Sequence, residues 1–541
     1  MVSADRIYDG IILGAGHNGL ILQAYAGRAN LEVLAIERRA EAGGGLTTIE
    51  HPQGSGFLHN THAFFHRALT QMPWYRDLDL ERRGVRYLEP ERNVTLILRD
   101  SRTLSWWTDL ERTMDSFAAF SRKDADALRR WHDEFRPIVE RVLIPETGSP
   151  PLTAKRRREL LGRFEKGRRL LEVSRLSPLE FVLREFEHPV IQAGLLFFNG
   201  LREVDLRVRG FGHHIAALLA SPSKAQMAVG GSRALARVLE VAATELGGVI
   251  RTHTTPKRIL VEKNCAVGVE TTDGEIFRAR HFVASSLNSQ QTFLELMDEE
   301  QVPKVWRERA KAFGYNLLAP LFALHLNLKE APQYRALEHV SVGEKPFIVI
   351  LGLEHVDQFP EIVRHHEAGT IPPTVMWGAC PTLLDPSQAP SGEHTAFMWE
   401  KLPYRVRGDP TRWDQIRDGY GREMLDLWTH YAPNLKHAVI EGFTRSPLDI
   451  ERDLPNMRGG DLLVGAFTNG QIGHDRPFPG AGSYRGHLPA LYLCGSCCHP
   501  GGNVTGLPGY NAAQVILADL ALEPDRAPPP IEEHLRSLAG Q

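Results

Sequence analysis

The chain has 541 residues, which is more than one ordinary hydrophobic core accommodates, so two or more packed units are predicted. Hydrophobic residues make up 42% and charged residues 24%, a balance typical of a soluble globular protein. The net charge of −3 excludes a strong overall field for nucleic acid, and we expect no nucleic-acid partner.

Targeting signals are absent from the sequence pattern. No apolar run is long enough to span a bilayer, so no transmembrane helix is predicted. The first apolar strand begins at Ile7, which leaves no room for a secretory signal. Five cysteines, an odd number in a large chain, do not form a disulfide framework. These features predict a cytoplasmic protein.

The N-terminal segment has the order strand, glycine-rich turn, helix, strand, acid. Residues 7–13 predict a buried strand, and a second strand near residue 36 ends in Glu37. The glycines of the intervening GxGxxG turn are Gly14, Gly16 and Gly19. Such a turn lets a pyrophosphate approach the backbone at a helix N-terminus, and the acid meets ribose hydroxyls. A dinucleotide-binding site is predicted.

A second glycine cluster distinguishes between NAD and FAD. Glu37 is followed by Arg38 and then by Gly43, Gly44 and Gly45. A glycine cluster just beyond the ribose-binding acid is not needed for NAD. It resembles the extended fingerprint of FAD-binding oxidoreductases, in which backbone amides approach the diphosphate and ribityl chain. This resemblance implies FAD, with Arg38, Gly44 and Gly45 among the binding residues.

The rest of the chain alternates between arginine-rich helical segments and segments of strands and turns. This pattern predicts an α/β protein, a Rossmann-like FAD-binding domain with an inserted α+β substrate domain. The predicted FAD-binding domain comprises residues 1–70, 225–300 and 456–541, and the predicted substrate domain comprises residues 71–224 and 301–455.

Five features in order resemble the phytoene-dehydrogenase-related flavoproteins, a group that includes carotenoid desaturases, isomerases and ketolases. The features are the Gly14–Glu37 motif, Gly230-Gly231, the Gly268-Val269 strand with Asp273-Gly274, the Pro381–Pro386 segment and the ending Tyr492–Ala513 with its HPGG turn. The resemblance implies the two-domain fold of amine oxidases and phytoene desaturases. It also implies non-covalent FAD that takes hydride from an apolar substrate.

The same resemblance assigns the C-terminal segment to the flavin. It implies that Gly495 lies near the diphosphate and ribityl chain. Gly502, Asn503, Val504 and Thr505 would lie beside the flavin ring. Three residues depart from the group's pattern. Pro256 has no backbone amide to contact adenine, Tyr510 stands where the group commonly has an arginine, and Asn503 adds bulk near the flavin ring.

Three histidines, His59, His62 and His66, would share one face if they lay on a helix. No carboxylate accompanies them at matching spacing, so lining of a pocket is favoured over a structural role, and a metal site is ranked last. His62 and His66 are the candidate bases for the proton that a desaturation releases. The C-terminal Cys497-Cys498-His499 cluster has no partner motif for a metal, and no metal site is predicted.

Lys155–Glu172 contains eight Lys or Arg residues with leucines at helical spacing. This pattern fits a basic amphipathic helix on an anionic membrane face, and base rates favour a core-facing helix with a solvated basic side.

The predicted function is FAD-dependent dehydrogenation of a hydrophobic, unsaturated or isoprenoid-like substrate, with oxygen or a quinone as electron acceptor. The alternatives are a flavin-dependent isomerase or ketolase and a non-catalytic lipid-binding carrier of the same fold.

Overall fold

A computed structural model describes residues 7–200, 204–222, 225–522 and 529–540. Its strands are β1 (Ile7–Leu13), β2 (Val33–Ile36), β3 (Thr48–Glu50), β4 (Leu58–Asn60), β5 (His66–Arg67), β6 (Tyr87–Leu88), β7 (Arg92–Ile97), β8 (Thr103–Trp107), β9 (Ala225–Ala228), β10 (Val249–Arg251), β11 (Pro256–Glu262), β12 (Cys265–Thr271), β13 (Ile276–Ser285), β14 (Leu321–Leu328), β15 (Ile348–Leu351), β16 (Met376–Ala379), β17 (His394–Lys401), β18 (Val439–Arg445) and β19 (Leu491–Leu493).

The α-helices are α1 (His17–Arg28), α2 (Pro73–Asp77), α3 (Leu110–Ala118), α4 (Arg122–Ile138), α5 (Ile144–Thr147), α6 (Ala154–Leu161), α7 (Glu165–Ser174), α8 (Pro178–Glu185), α9 (Pro189–Gly200), α10 (His213–Ala220), α11 (Arg233–Glu245), α12 (Lys304–Lys311), α13 (Gln358–Ala368), α14 (Trp413–Tyr431), α15 (Leu435–Ala438), α16 (Pro447–Asp453), α17 (Leu507–Asp519) and α18 (Ile531–Ala539).

The first large sheet has the strand order β10-β2-β1-β13-β12-β11, and β19 also pairs with β13. The strands β10, β2, β1, β13 and β19 are parallel, whereas β12 and β11 are antiparallel additions. Parallel strands are buried on both faces, which explains the nearly continuous apolar runs of β1 and β2. The glycine-rich turns lie at the carboxyl ends of these strands, where dinucleotides bind.

The second large sheet is mixed, with the order β18-β14-β17-β16-β15-β7-β8. Alternate residues of β14 point to opposite faces. Phe322, Leu324 and Leu326 belong to a core that also contains Trp413 and Trp428 of α14. The residues between them, among them His325, therefore lie on the face toward the first sheet. This second face forms one wall of the site.

The predicted fold class is confirmed: a Rossmann-like α/β unit is joined to a second, mixed sheet. The second sheet takes β7 and β8 from the first predicted insertion and β14 to β18 from the second. The domain boundaries themselves stay a prediction.

The prediction of one basic helix over Lys155–Glu172 is wrong. The segment forms two helices, α6 and α7, with a break between them. Leu160, Leu161 and Leu170 are fully buried in the protein core. Their apolar side chains are therefore not available to a bilayer, and membrane contact, which stays a prediction, would rest on the basic side chains. None of the helices in the described ranges is long and apolar enough to cross a membrane.

A buried carboxyl group lies in the core between the second sheet and α14. The Tyr420 hydroxyl donates to Glu400 Oε2 at 2.6 Å, and the Val375 amide donates to Glu400 Oε1 at 3.0 Å. Burial raises the pKa of Glu400 from 4.5 to about 8, because the apolar surroundings disfavour the charged form. The carboxyl group is therefore largely protonated at neutral pH.

Glu400 makes stability fall with rising pH. Between pH 4.5 and pH 8 the folded chain keeps a proton that the unfolded chain has released. The free energy of unfolding therefore decreases, by at most about 1.4 kcal/mol per pH unit from this group. Glu400→Gln mimics the neutral carboxyl group and should flatten the decrease, as measured by urea unfolding from pH 5 to pH 8.

The matched control is Glu441→Gln, which removes an exposed carboxylate from β18 of the same sheet. It should leave the pH dependence of the unfolding free energy as in the parent protein. Equal slopes for Glu400→Gln and the parent protein would contradict the assigned protonation of Glu400.

Candidate active site

Two glycine turns lie against each other at the ends of β1 and β2. The Gly14 turn follows β1, and a parallel bridge joins Gly16 to Gly43 of the second cluster. The carboxylate of Glu37 holds this arrangement: Oε2 accepts from the Ala15 amide at 3.1 Å, and Oε1 accepts from the Arg39 amide at 2.9 Å. The acid at the end of β2 therefore also fixes the turn next to it.

The three glycines of the first motif differ in what the fold demands of them. Gly14 has a φ of 90°, in the left-handed region that favours glycine. A Cβ at Gly19 would lie 2.3 Å from the Gly14 carbonyl oxygen, so helix and turn touch there. Gly16 has a φ of −70°, and its Cβ would meet only Gly44 Cα at 3.9 Å, an ordinary contact. The fold itself thus tolerates a Cβ at Gly16, and the free space there suits a ligand's approach.

The C-terminal segment reaches the N-terminal turn through Asn18. The Asn18 side-chain amide donates to Ser496 Oγ at 3.1 Å, and Asn18 Oδ1 accepts from the Gly509 amide at 3.4 Å. A Cβ at Gly509 would lie 2.1 Å from the Asn18 carbonyl oxygen, so α17 lies directly against α1. This contact places the predicted flavin segment beside the predicted diphosphate turn.

The segment after the HPGG turn has an unusual backbone. Asn503 and Val504 have φ values of 77° and 53°. A β-branched residue in this region is strained, and such strain clusters at ligand sites. A Cβ at Gly502 would lie 2.7 Å from the Leu463 carbonyl oxygen, so the segment is seated on the loop that contains Leu463.

One cavity of about 440 Å³ joins both glycine turns, the C-terminal segment and the second sheet. The predicted cofactor residues that line it are Gly16, Gly44, Gly45, Gly502, Asn503, Val504 and Thr505. The other predicted cofactor residues, Gly14, Gly19, Glu37, Arg38 and Gly495, lie outside its lining. Arg38 is exposed and donates to the Asp453 carbonyl oxygen.

The wall opposite the glycines is aromatic. Trp377 and Trp399 are cross-strand neighbours on β16 and β17, with ring centroids 5.0 Å apart. Phe64 packs edge-on against Trp399 at 5.4 Å and also lines the cavity with Phe65. The charged group that β17 adds to the lining is Lys401, whose Nζ donates to the Ala319 carbonyl oxygen at 2.7 Å. The four aromatic rings make this side of the cavity mostly apolar.

The three histidines do not lie on a helix, so the condition for a shared helix face is not met. His59 lies on β4, His62 in the turn after it and His66 on β5. His62 lines the cavity, whereas His66 does not. His66 Nδ1 shares a hydrogen bond with the Tyr87 hydroxyl at 2.9 Å, and His59 Nε2 donates to Asn327 Oδ1 at 2.7 Å. Only His62 of the three is placed to meet a ligand.

Both candidate bases are neutral imidazoles. Burial, reinforced by Arg445 and Arg39, holds the pKa of His62 well below its ordinary 6.5. Burial and the neighbouring His17 lower the pKa of His66 to about 3. His62 Nδ1 shares a hydrogen bond with Thr61 Oγ1 at 2.9 Å, and the buried Nε2 has no partner among the described residues. A neutral ring with one free nitrogen is able to accept a proton.

The cysteines that mark the C-terminus are buried and do not line the cavity. Cys497 Sγ and Cys498 Sγ lie 4.0 Å apart, and Cys497 Sγ is 3.5 Å from the Leu287 carbonyl oxygen. His499 Nε2 donates to the Glu146 carbonyl oxygen at 3.0 Å, which gives it a structural role. Across the described ranges, no group of three or more His, Cys, Asp or Glu side chains is arranged to hold a metal ion.

Sequence reasoning missed two buried ionisable residues behind the cavity. Arg476 and Asp461 are both fully buried and both bind the backbone of residues 463–466. Leu463 and Val464 of this loop line the cavity. Neither residue stands in a recognisable motif, because their contacts are to backbone groups and leave no spacing pattern.

Comparisons with known proteins agree with this arrangement. A family model described as an NAD(P)-binding Rossmann-like domain matches residues 12–78. A limonene dehydrogenase subunit of Castellaniella defragrans is 30% identical, with 96% of each chain covered. Pyridine nucleotide-disulfide oxidoreductase domain-containing protein 2 of Rattus norvegicus is 29% identical, covering 95% of this chain and 94% of the relative.

A more distant relative and one solved structure extend the likeness. The lycopene-forming phytoene desaturase of Pseudescherichia vulneris is 22% identical, covering 95% of this chain and 99% of the relative. Cyclohexylamine oxidase of Brevibacterium oxydans has a TM-score of 0.59 at 13% identity, covering 95% of this chain and 100% of that one, which shows a shared fold. By its full-length identity to these relatives, the chain belongs to the phytoene-dehydrogenase-related flavin oxidoreductases.

Proposed function

We propose that the protein is an FAD-dependent dehydrogenase that removes hydride from a compact, apolar, unsaturated or isoprenoid-like substrate. The observation that supports this most is the single cavity of about 440 Å³ that joins two glycine turns to an aromatic wall. A redox cofactor and an apolar substrate need such a shared space, since hydride transfer requires contact between them.

FAD is favoured over NAD by the second glycine turn and the C-terminal segment. NAD needs the Gly14–Gly19 turn and Glu37. The additional Gly44, Gly45 and residues 502–505 line the same cavity, which supports a flavin cofactor rather than a nicotinamide. The free space at Gly16 fits a diphosphate that lies against the backbone. Bound FAD would supply the hydride acceptor, and non-covalent binding is what the family resemblance implies.

A small substrate is favoured over a long carotenoid. The cavity lies within the ordinary range for small-molecule sites, about 300–1,000 Å³, and a flavin ring would occupy part of it. The relative with 30% identity is a limonene dehydrogenase subunit, whereas the carotenoid desaturase is 22% identical. We therefore propose a cyclic monoterpene or similar alicyclic molecule as substrate class, with oxygen or a quinone as electron acceptor.

His62 is the residue that we propose to accept the substrate proton. Its ring lines the cavity, its Nε2 is free and its burial keeps it neutral. His66 is held by Tyr87 outside the cavity and is the weaker of the two predicted bases. The apolar wall excludes water, so the proton leaves through a fixed group such as His62.

The alternatives differ in their products. A flavin-dependent isomerase would leave the mass of the substrate unchanged, and a ketolase would add oxygen. A non-catalytic carrier of the same fold would not need the free space at Gly16. A colourless purified protein that never takes up FAD would favour the carrier.

Gly16→Val tests the cofactor site. A Cβ at Gly16 makes only an ordinary contact with Gly44 Cα at 3.9 Å, so the unfolding free energy without cofactor is expected to change by less than about 1 kcal/mol. The added side chain would occupy the space of the diphosphate and should weaken FAD binding at least tenfold, about 1.4 kcal/mol. The measurement is the visible absorbance and fluorescence of titrated FAD.

Gly343→Val is the control, because a Cβ at this exposed position meets nothing within 4 Å. It should bind FAD as the parent protein does. Unchanged FAD affinity in Gly16→Val would remove the proposed diphosphate site.

Anaerobic bleaching of the flavin tests the substrate class. We expect limonene or another cyclic monoterpene to reduce the flavin, and phytoene to leave it oxidised, because the cavity is compact. Mass spectrometry should find a product that has lost two hydrogens. Bleaching by phytoene alone would contradict the proposed class, and a product of unchanged mass would identify an isomerase.

His62→Gln tests the proposed base, with His66→Gln as its control outside the cavity. Loss of the proton acceptor should slow flavin bleaching by limonene at least tenfold, whereas His66→Gln should slow it less than threefold. Since the pKa of His62 is held well below 6.5, the active neutral form is already present at neutral pH. The rate should therefore stay flat from pH 6.5 to pH 8; an inflection near 6.5 that disappears in His62→Gln would contradict the assigned pKa direction.

A further inference from the structure

Residues 463–466 are held from two sides by buried ionisable groups. The Asp461 carboxylate accepts from the amides of Leu463 at 2.8 Å and Gly465 at 3.2 Å. The Arg476 guanidinium donates to the carbonyl oxygens of Gly465 at 3.1 Å and Ala466 at 2.9 Å. We call this arrangement the loop clamp. It binds both the donors and the acceptors of one short backbone segment.

The guanidinium of Arg476 has no ion-pairing partner in the part of the chain that is described. It is fully buried, and no carboxylate of these residues lies within 4.0 Å of it. Its further contacts are the carbonyl oxygens of Gln471 and Ser496, and its buried Nε has no partner. An arginine remains protonated in proteins, so a positive charge is retained here.

The titratable groups around Arg476 are Asp461, Cys497, Cys498 and His499. Asp461 contacts the same loop from the other side, and burial raises its pKa. Burial also raises the pKa of the Cys498 thiol. The pKa of the Cys497 thiol lies below its ordinary value because Cys497 hydrogen-bonds to Cys498 and lies near the charge of Arg476. None of these groups forms a salt bridge with the guanidinium.

Arg476 lies directly behind the cavity. Its guanidinium carbon is 4.5 Å from the ring centre of Phe467, which lines the cavity. A Cβ at Gly501 would lie 2.4 Å from that ring and 3.5 Å from Arg476 Nε. The guanidinium thus lies next to Gly501 of the HPGG turn, and it also donates to the carbonyl oxygen of Ser496, which lines the cavity. In a dry interior a charge at this depth acts on the cavity with little screening.

We propose that Arg476 is an electrostatic element of the flavin site, in addition to Lys401 of the cavity lining, and that its buried charge stabilises the reduced over the oxidised cofactor and raises the reduction potential. The proposal rests on the proposed binding of FAD in this cavity. A flavin ring gains negative charge when it accepts hydride, and nearby protein charges tune its electronics. The charge is fixed before reduction, so no reorganisation opposes the step.

The test is the reduction potential of the FAD-loaded protein, measured against a reference dye, which needs no substrate. Arg476→Met removes the charge and should shift the ratio of reduced to oxidised flavin at a fixed dye potential at least tenfold toward the oxidised form. For a two-electron couple this is about 30 mV. Arg476→Lys keeps the charge but has fewer donors for the carbonyl oxygens, and it should stay within about threefold of the parent protein.

Arg309→Met is the matched control, since Arg309 also donates to a backbone carbonyl oxygen, that of Pro479, but at a partly exposed site outside the cavity lining. It should not alter the potential. If Arg476→Met does not fold, Arg476→Gln replaces the charge with a neutral donor and is expected to give the same shift.

The outcomes separate the two proposals. A parent protein that binds no FAD overturns the proposed function, whatever Arg476 does. A parent protein that binds FAD, with an unchanged potential in Arg476→Met or Arg476→Gln, overturns the electrostatic role. Equal shifts in the lysine and the neutral variants also overturn it, because they identify the guanidinium hydrogen bonds as the cause.

Discussion

The contact between α1 and α17 is the constraint on which the site depends. Gly509 lies so close to the Asn18 carbonyl oxygen that no side chain fits between the helices. Because α17 begins at Leu507, a short distance after the HPGG turn, this contact also fixes the position of residues 495–505 next to the N-terminal glycine turn. Asn18 then bonds to Ser496 and to Gly509 at once. The first and last parts of the chain thereby form one edge of a single cavity.

Burial determines how charge is distributed around this cavity. It lowers the pKa of His17, His62, His66 and His499 alike, because the dry interior disfavours the imidazolium form. These histidines therefore contribute no positive charge at neutral pH. The guanidinium of Arg476 stays charged, since carbonyl oxygens replace its water shell. The same dry interior that keeps His62 unprotonated at neutral pH thus reduces the screening of the Arg476 charge.

The parts of the fold that were predictable from sequence are those that local patterns encode. The GxGxxG spacing, the acid at Glu37 and the apolar runs of β1 and β2 follow from a few neighbouring residues, and the C-terminal glycines were assigned through a family resemblance. Long-range contacts were not predictable. His59, His62 and His66 have the spacing of one helix face, yet this segment forms no helix. Instead, β4 pairs with β3 and β5 pairs with β9. The loop clamp has no signature because it binds backbone groups, which every residue has.

In the proposed function the second sheet selects the substrate, and its geometry limits how this selection varies. Trp377 and Trp399 face the cavity only because the registers of β16 and β17 place them opposite each other. A shift of the strand register by one residue would turn both side chains toward the α14 core. The aromatic wall is therefore changed by substituting its residues and not by sliding its strands. The cofactor side, by contrast, is made of backbone and glycine and has little room to vary. Substitutions in the cross-strand pairs of the second sheet would change the size of substrate that fits. The cofactor side would stay the same, so relatives with this arrangement are able to keep one redox chemistry.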